Sequence, residues 1–121
     1  FKYVTKDIDF GQPSVRKKVY KVYVTYKSNG ASNVSVKYDI NGAGGFTNTF
    51  KDMTGSPSYF TSDKLLDTSS SFKQAVLKPT TSSVANNIYS FQLRFQKSGS
   101  NVPNRFEIDD ITIVYRMKNP K

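Results

Sequence analysis

The residues best equipped for chemistry are two adjacent carboxylates, Asp109 and Asp110, close to the single glutamate, Glu107. Two acids suffice for glycoside hydrolysis, one donating a proton and the other acting as nucleophile or base. Successive strand residues point to opposite faces, however, so in an extended segment Asp109 and Asp110 cannot converge on one bond. The remaining aspartates stand in no recognisable catalytic spacing. The chain has no His and no Cys. That removes the commonest general base, the commonest transition-metal ligands and most nucleophile–base pairs. The expectation is a protein that is not an enzyme, with no catalytic residue and no cofactor-binding residue to assign.

Asp109 and Asp110 could instead offer hard oxygens to a calcium ion alongside loop carbonyls. The competing reading is a strand bulge whose acids pair with nearby lysines or cap backbone donors. The spacing matches no self-contained calcium loop, so the pair stands as a secondary candidate for structural calcium and no other metal ligand is named. Gly42, Gly44 and Gly45 suggest a phosphate loop only superficially. Such a loop runs into a helix carrying Lys and Ser or Thr, whereas Phe46-Thr47-Asn48 continues in strand-like fashion.

Charge gives the next lead. Eighteen Lys and Arg against nine Asp and Glu leave a formal net charge of +9. The basic residues are spread along the chain, and only Arg16, Lys17 and Lys18 cluster, with Lys21 nearby. Sequence-specific nucleic-acid recognition needs a concentrated patch, so no specific nucleic-acid partner is expected. Lys17, Lys21, Tyr23 and Lys27 fall on the wet side of one long strand, a pattern suited to anionic glycans, phosphates or an acidic protein surface. An edge strand guarded by lysine against sheet association would look the same. Tyr59-Phe60, in an otherwise polar stretch, is either an exposed stacking platform or the anchor of a long loop. These six residues form the candidate interaction surface.

The elements that must position these residues are strands. Helical periodicity is almost absent and period-two alternation is clear. Tyr20, Val22, Val24 and Tyr26 share one face, and Val34, Val36, Tyr38 and Ile40 share another. The cluster Ser28-Asn29-Gly30-Ala31-Ser32 between them predicts a β-hairpin over 15–40. Tyr89, Phe91, Leu93 and Phe95 form the most apolar stripe. At the end of the chain Ile111, Ile113, Tyr115 and Met117 align. Phe106 and Ile108 have the opposite parity, so a bulge near Asp109 and Asp110 is predicted to restore register. Weaker strands are expected at 2–8, 46–52 and 72–78, a flexible tip at 41–45, and a helical turn near Asp63 to Leu66. The expected core comprises Val22, Val24, Val36, Tyr38, Phe91, Leu93, Ile111 and Ile113.

The 121 residues suit one domain over 1–121, and the start at Phe1 rather than Met reads as a piece of a longer chain. No apolar run approaches the roughly 20 residues of a membrane-spanning helix, so no membrane insertion is expected. The fold class is all-β: an antiparallel β-sandwich, jelly-roll-like, with an immunoglobulin-like arrangement as second choice.

Two segments resemble known families. Phe106-Glu107-Ile108-Asp109-Asp110-Ile111-Thr112-Ile113 is similar to the closing strand of jelly-roll and galactose-binding-like domains, carbohydrate-binding modules among them; aromatic sugar platforms there commonly use Trp, which this chain lacks. Thr5-Lys6-Asp7-Ile8-Asp9-Phe10-Gly11-Gln12-Pro13, followed by Val15-Arg16-Lys17-Lys18-Val19-Tyr20, resembles a β-rich module of tube- or nozzle-type tail proteins of tailed bacteriophages. The second resemblance implies a virion structural protein of the tail, docked to other tail subunits in a homo-oligomeric assembly. The first implies a carbohydrate-binding module of a secreted or cell-surface protein, with a host-surface glycan as partner.

Overall fold

The computed structural model describes residues 2–28, 34–69, 71–97 and 106–118. Ten strands are formed: β1 (Lys2–Val4), β2 (Lys17–Ser28), β3 (Val34–Ile40), β4 (Phe50–Asp52), β5 (Phe60–Thr61), β6 (Lys64–Leu65), β7 (Lys73–Pro79), β8 (Asn86–Ile88), β9 (Phe91–Lys97) and β10 (Phe106–Met117). One sheet has the order β1-β9-β3-β6-β5 and the other β10-β2-β7-β4, with β8 also on β2. All pairings are antiparallel.

The pairings are nested. β5 pairs with β6, β4 with β7, β3 with β9 and β2 with β10. The chain thus behaves as one long hairpin wound upon itself, which is the jelly-roll arrangement of an antiparallel sandwich. Its innermost turn is Ser62-Asp63, both at positive φ (50° and 64°), the geometry of a two-residue hairpin loop that follows strand twist. Asp63 therefore sits in a hairpin turn and does not cap a helical turn.

Alternation dictates the core. Val22, Val24, Val36, Tyr38, Phe91 and Leu93 are all 1 % exposed or less, joined by Tyr26, Phe60, Leu65, Leu77, Ile88 and Phe95. Each large apolar side chain so buried contributes roughly 1.5–3 kcal/mol. Rings concentrate near the centre, where Tyr38 stacks on Phe91 with centroids 5.2 Å apart and meets Phe50 at 4.9 Å. Ile111 and Ile113 pack against the core but are only partly buried, because β10 is the edge of its sheet. Tyr89 does not extend the Phe91 stripe. It lies ahead of β9, exposed, with the Arg16 guanidinium 4.9 Å from its ring centroid.

β2 and β3 are not a hairpin. β2 pairs with β10, β7 and β8, while β3 pairs with β9 and β6 in the other sheet. Each strand carries a fully buried face, and the two faces are satisfied by opposing one another across the core rather than by lying side by side. Residues 29–32 of the expected turn lie outside the described residues.

Two register shifts adjust the long β2–β10 ladder. The first, between Ile108 and Asp110, is the bulge required by the parity change in that sequence. The second sits at Tyr20: Val114 pairs with Lys21 but Tyr115 with Val19. That inserted residue reverses the alternation of β2, so Val19 and Lys17 turn inward and Tyr20 leaves the face of Val22 and Val24. The glycine-rich stretch after β3 is a pinned loop. Gly44 N–H donates to the buried Asp39 carboxylate (2.5 Å) and Tyr38 N–H to the Asn48 carbonyl (3.0 Å). Phe46 is thereby buried, with the Arg94 guanidinium 5.2 Å from its ring centroid.

Candidate recognition site

The sandwich is open where the edge strand of one sheet, β1, approaches the edge strand of the other, β10. The inward residues of these edges cannot be fully covered, and they line a cleft of about 500 Å³ formed by Tyr3, Phe106, Ile108, Asp109, Asp110 and Ile111. Tyr3 points inward opposite Phe95, with rings 6.1 Å apart, yet is 48 % exposed. Phe106 and Ile108 reach the cleft from the inner side of β10 and touch the core. The bulge swings Asp109 out of the ladder, leaving both carboxylates at the rim, where the Thr112 hydroxyl donates to Asp110 Oδ2 (3.1 Å). Adjacent acids that a regular strand would send to opposite faces thus share one opening.

A second cleft, of about 420 Å³, lies at the other open edge between β4 and β5 and contains Asp52 and Asp63. Its Asp52 is already engaged internally. The Asp52 carboxylate accepts from Thr54 N–H (2.9 Å) and the Ser58 hydroxyl (2.5 Å). Burial works against its ionisation, but these hydrogen bonds outweigh burial and hold its pKa below the ordinary value. The cleft has no exposed ring. The β1–β10 cleft, with a free aromatic face and two accessible carboxylates over an apolar floor, is better equipped to bind.

The six surface candidates separate. Lys21, Tyr23 and Lys27 lie side by side on the outward face of β2, half-buried. Lys27 pairs with Glu107 at 3.7 Å and lies 4.8 Å from the Phe72 ring centroid. Lys17 does not belong with them. The bulge at Tyr20 turns it inward, to 0 % exposure, and its ammonium donates to the carbonyls of Gln12 and Tyr89 (the latter 2.7 Å). Phe60 is likewise core, at 2 % exposure, and Tyr59 is half-buried against it. The Tyr59 carbonyl, with that of Leu66, faces the Tyr26 hydroxyl (3.1 and 2.5 Å). The Tyr59-Phe60 pair anchors its loop and offers no exposed platform.

Asp109 and Asp110 are both exposed, and among the described residues no group of three His, Cys, Asp or Glu gathers into a metal-holding cluster. Tyr3 escaped the sequence reading because a single aromatic in a three-residue edge strand leaves no periodic signal. Only the pairing of β1 with β9 brings it to the cleft.

A family model described as delta endotoxin matches residues 3–114, nearly the whole described sandwich. The chain belongs to the delta endotoxin family. Within that family frame the match runs from Tyr3 through the bulge to Val114, so both walls of the cleft lie inside the shared domain. No curated protein and no solved structure matches the chain.

Proposed function

We propose that this delta endotoxin domain is a non-catalytic recognition module that engages glycans at the β1–β10 cleft. The observation carrying the reading is the exposed Tyr3 ring set across from Asp109 and Asp110 over a floor of Phe106, Ile108 and Ile111. Sugars present apolar C–H faces that pack on an aromatic ring, while their hydroxyls donate to carboxylates, which only accept when ionised. An apolar surface with a few placed polar groups is the usual composition of a small-molecule site. The resemblance of the β10 segment to the closing strand of galactose-binding-like domains supports the same reading. The tail setting suggested by the opening segment draws nothing from the family match, so only its non-catalytic docking character is carried forward. No cofactor is proposed.

Titration of the intact chain with a panel of neutral oligosaccharides tests the reading. At least one should bind without being cleaved, and Tyr3→Ala and Asp110→Asn should each weaken it about tenfold, or about 1.4 kcal/mol. Absence of binding across the panel, or a Tyr3→Ala protein that binds as tightly as the parent, refutes it.

A further inference from the structure

The outward face of the β10-β2-β7-β4 sheet carries an arrangement unrelated to the cleft. Val114 pairs with Lys21, Val22 with Leu77, and Lys51 with Lys78. Because Val22 and Leu77 point into the core at 0 % exposure, the residues one step away, Lys21 and Lys78, point outward on the same row. Lys51 continues that row on β4. Three lysines thus stand side by side on three adjacent strands. Directly opposed like charges destabilise a sheet, and none of the three has an acid within ion-pair distance among the described residues. Among the described residues, the ion pair on this face is Lys27–Glu107, toward the far end of the ladder.

The next row holds Thr112, Tyr23 and Val76, which pair across β10, β2 and β7. Tyr23 and Val76 are half-buried and form a shallow apolar strip beside the lysines, with the exposed Val114 at the β10 end of the lysine row. At strand spacings of about 4.8 Å, the lysine row spans about 10 Å.

We infer that this face binds an anionic polysaccharide, its acidic groups lying along Lys21, Lys78 and Lys51 and its sugar rings over Tyr23 and Val76. Charge complementarity selects a polyanion. The half-buried strip suits sugar faces lying across it, whereas interfacial membrane binding uses the broad apolar face of an amphipathic element. One half-buried tyrosine is a poor platform for successive nucleic-acid bases, which are held by several stacked rings. The inference uses none of the cleft residues and stands whether or not neutral glycans bind there.

The probe is dextran sulfate, with uncharged dextran, single-stranded DNA and anionic phospholipid vesicles as comparators, titrated against the intact chain at about 0.15 M salt. Dextran sulfate should bind, and affinity should fall as salt rises, with a slope of log affinity against log salt that reports the number of lysines engaged. Lys51→Gln/Lys78→Gln should bind about tenfold more weakly with a shallower slope. Lys37→Gln/Lys64→Gln, which removes the same charge from the outward face of the other sheet, should bind as the parent does. Equal losses in the two double variants would mean that net charge alone is responsible, and would overturn the assignment. So would no loss in Lys51→Gln/Lys78→Gln, equal binding of uncharged dextran, or tighter binding of DNA or vesicles.

Discussion

The Lys17 ammonium lies 2.7 Å from the carbonyl oxygen of Tyr89, seventy-two residues away, and is fully buried. It also donates to the Gln12 carbonyl and lies 5.9 Å from the Phe10 ring centroid. One side chain therefore ties the loop before β2 to the turn before β9, while Phe10 stacks on Tyr115 at 4.0 Å. Lys17→Met, which keeps the stem but not the donor, strands two carbonyls and should cost about 1–3 kcal/mol, read from denaturant midpoints. Burial lowers the Lys17 pKa, with the nearby Asp9 charge pulling the other way. The unfolded chain therefore holds this proton more tightly, and the group's contribution to stability rises with pH just below its ordinary value of 10.5. The difference between parent and Lys17→Met stability across that range isolates the effect. A flat difference contradicts it.

Truncation of the central stripe should be severe. Phe91→Ala and Leu93→Ala each remove a side chain of 0 % exposure and should cost about 2–5 kcal/mol. Lys21→Ala, on the outward face, should change stability by less than about 0.5 kcal/mol. Urea midpoints of the three variants give the ranking directly.

Alkaline pH should unfold the domain through its tyrosines. Burial raises the Tyr38 hydroxyl to about 12 and pushes the Tyr26 hydroxyl higher still. Both folded values exceed the unfolded value of 10.0. Their stabilisation is thus complete below pH 10 and lost as pH rises through the folded values. Phenolate absorbance should show these two rings ionising only with unfolding, and Tyr38→Phe should flatten the alkaline fall in stability.

The acid limb has a named contributor in Asp52. Its folded pKa lies below 3.8, so its stabilisation is present above that value and lost as pH falls through the folded one. Asp52→Asn should have a shallower acid denaturation curve than the parent, followed by far-ultraviolet dichroism.

Chelation should be silent. Asp109 and Asp110 offer a cation only two carboxylates, and Asp110 already accepts from Thr112. Melting temperature and glycan affinity measured with calcium and with excess chelator should coincide. A calcium-dependent rise in either would assign the pair a structural ion.

The strands and most of the core were legible because each buried face repeats every second residue. The β10 bulge was legible because the parity of Phe106 and Ile108 conflicts with that of Ile111 and Ile113. Lys17 was misplaced by the same logic: a second bulge, at Tyr20, breaks the alternation without any glycine or apolar signal to mark it. The β2–β3 pairing was misjudged because turn residues between two strands specify a reversal of the chain but not which sheet receives it. The cleft and the lysine row depend on which strands become neighbours. Tyr3 with Asp109, and Lys51 with Lys21, are separated by long stretches of chain, and local pattern carries no information about such partners.

The nested strand order also sets the timing of folding. β2 carries much of the core but cannot complete its pairing until β10 emerges at Phe106, the last strand of the described chain. Until then its ladder edge is an unpaired apolar template of the kind that associates with other chains. Pairings between residues so distant in sequence form slowly, because loop closure must precede them. On the ribosome, β3 through β9 can assemble from the Ser62-Asp63 turn outward and β2 can add to β7 and β8, but its other edge stays open until β10 arrives, so chains truncated before β10 should aggregate rather than persist as soluble intermediates.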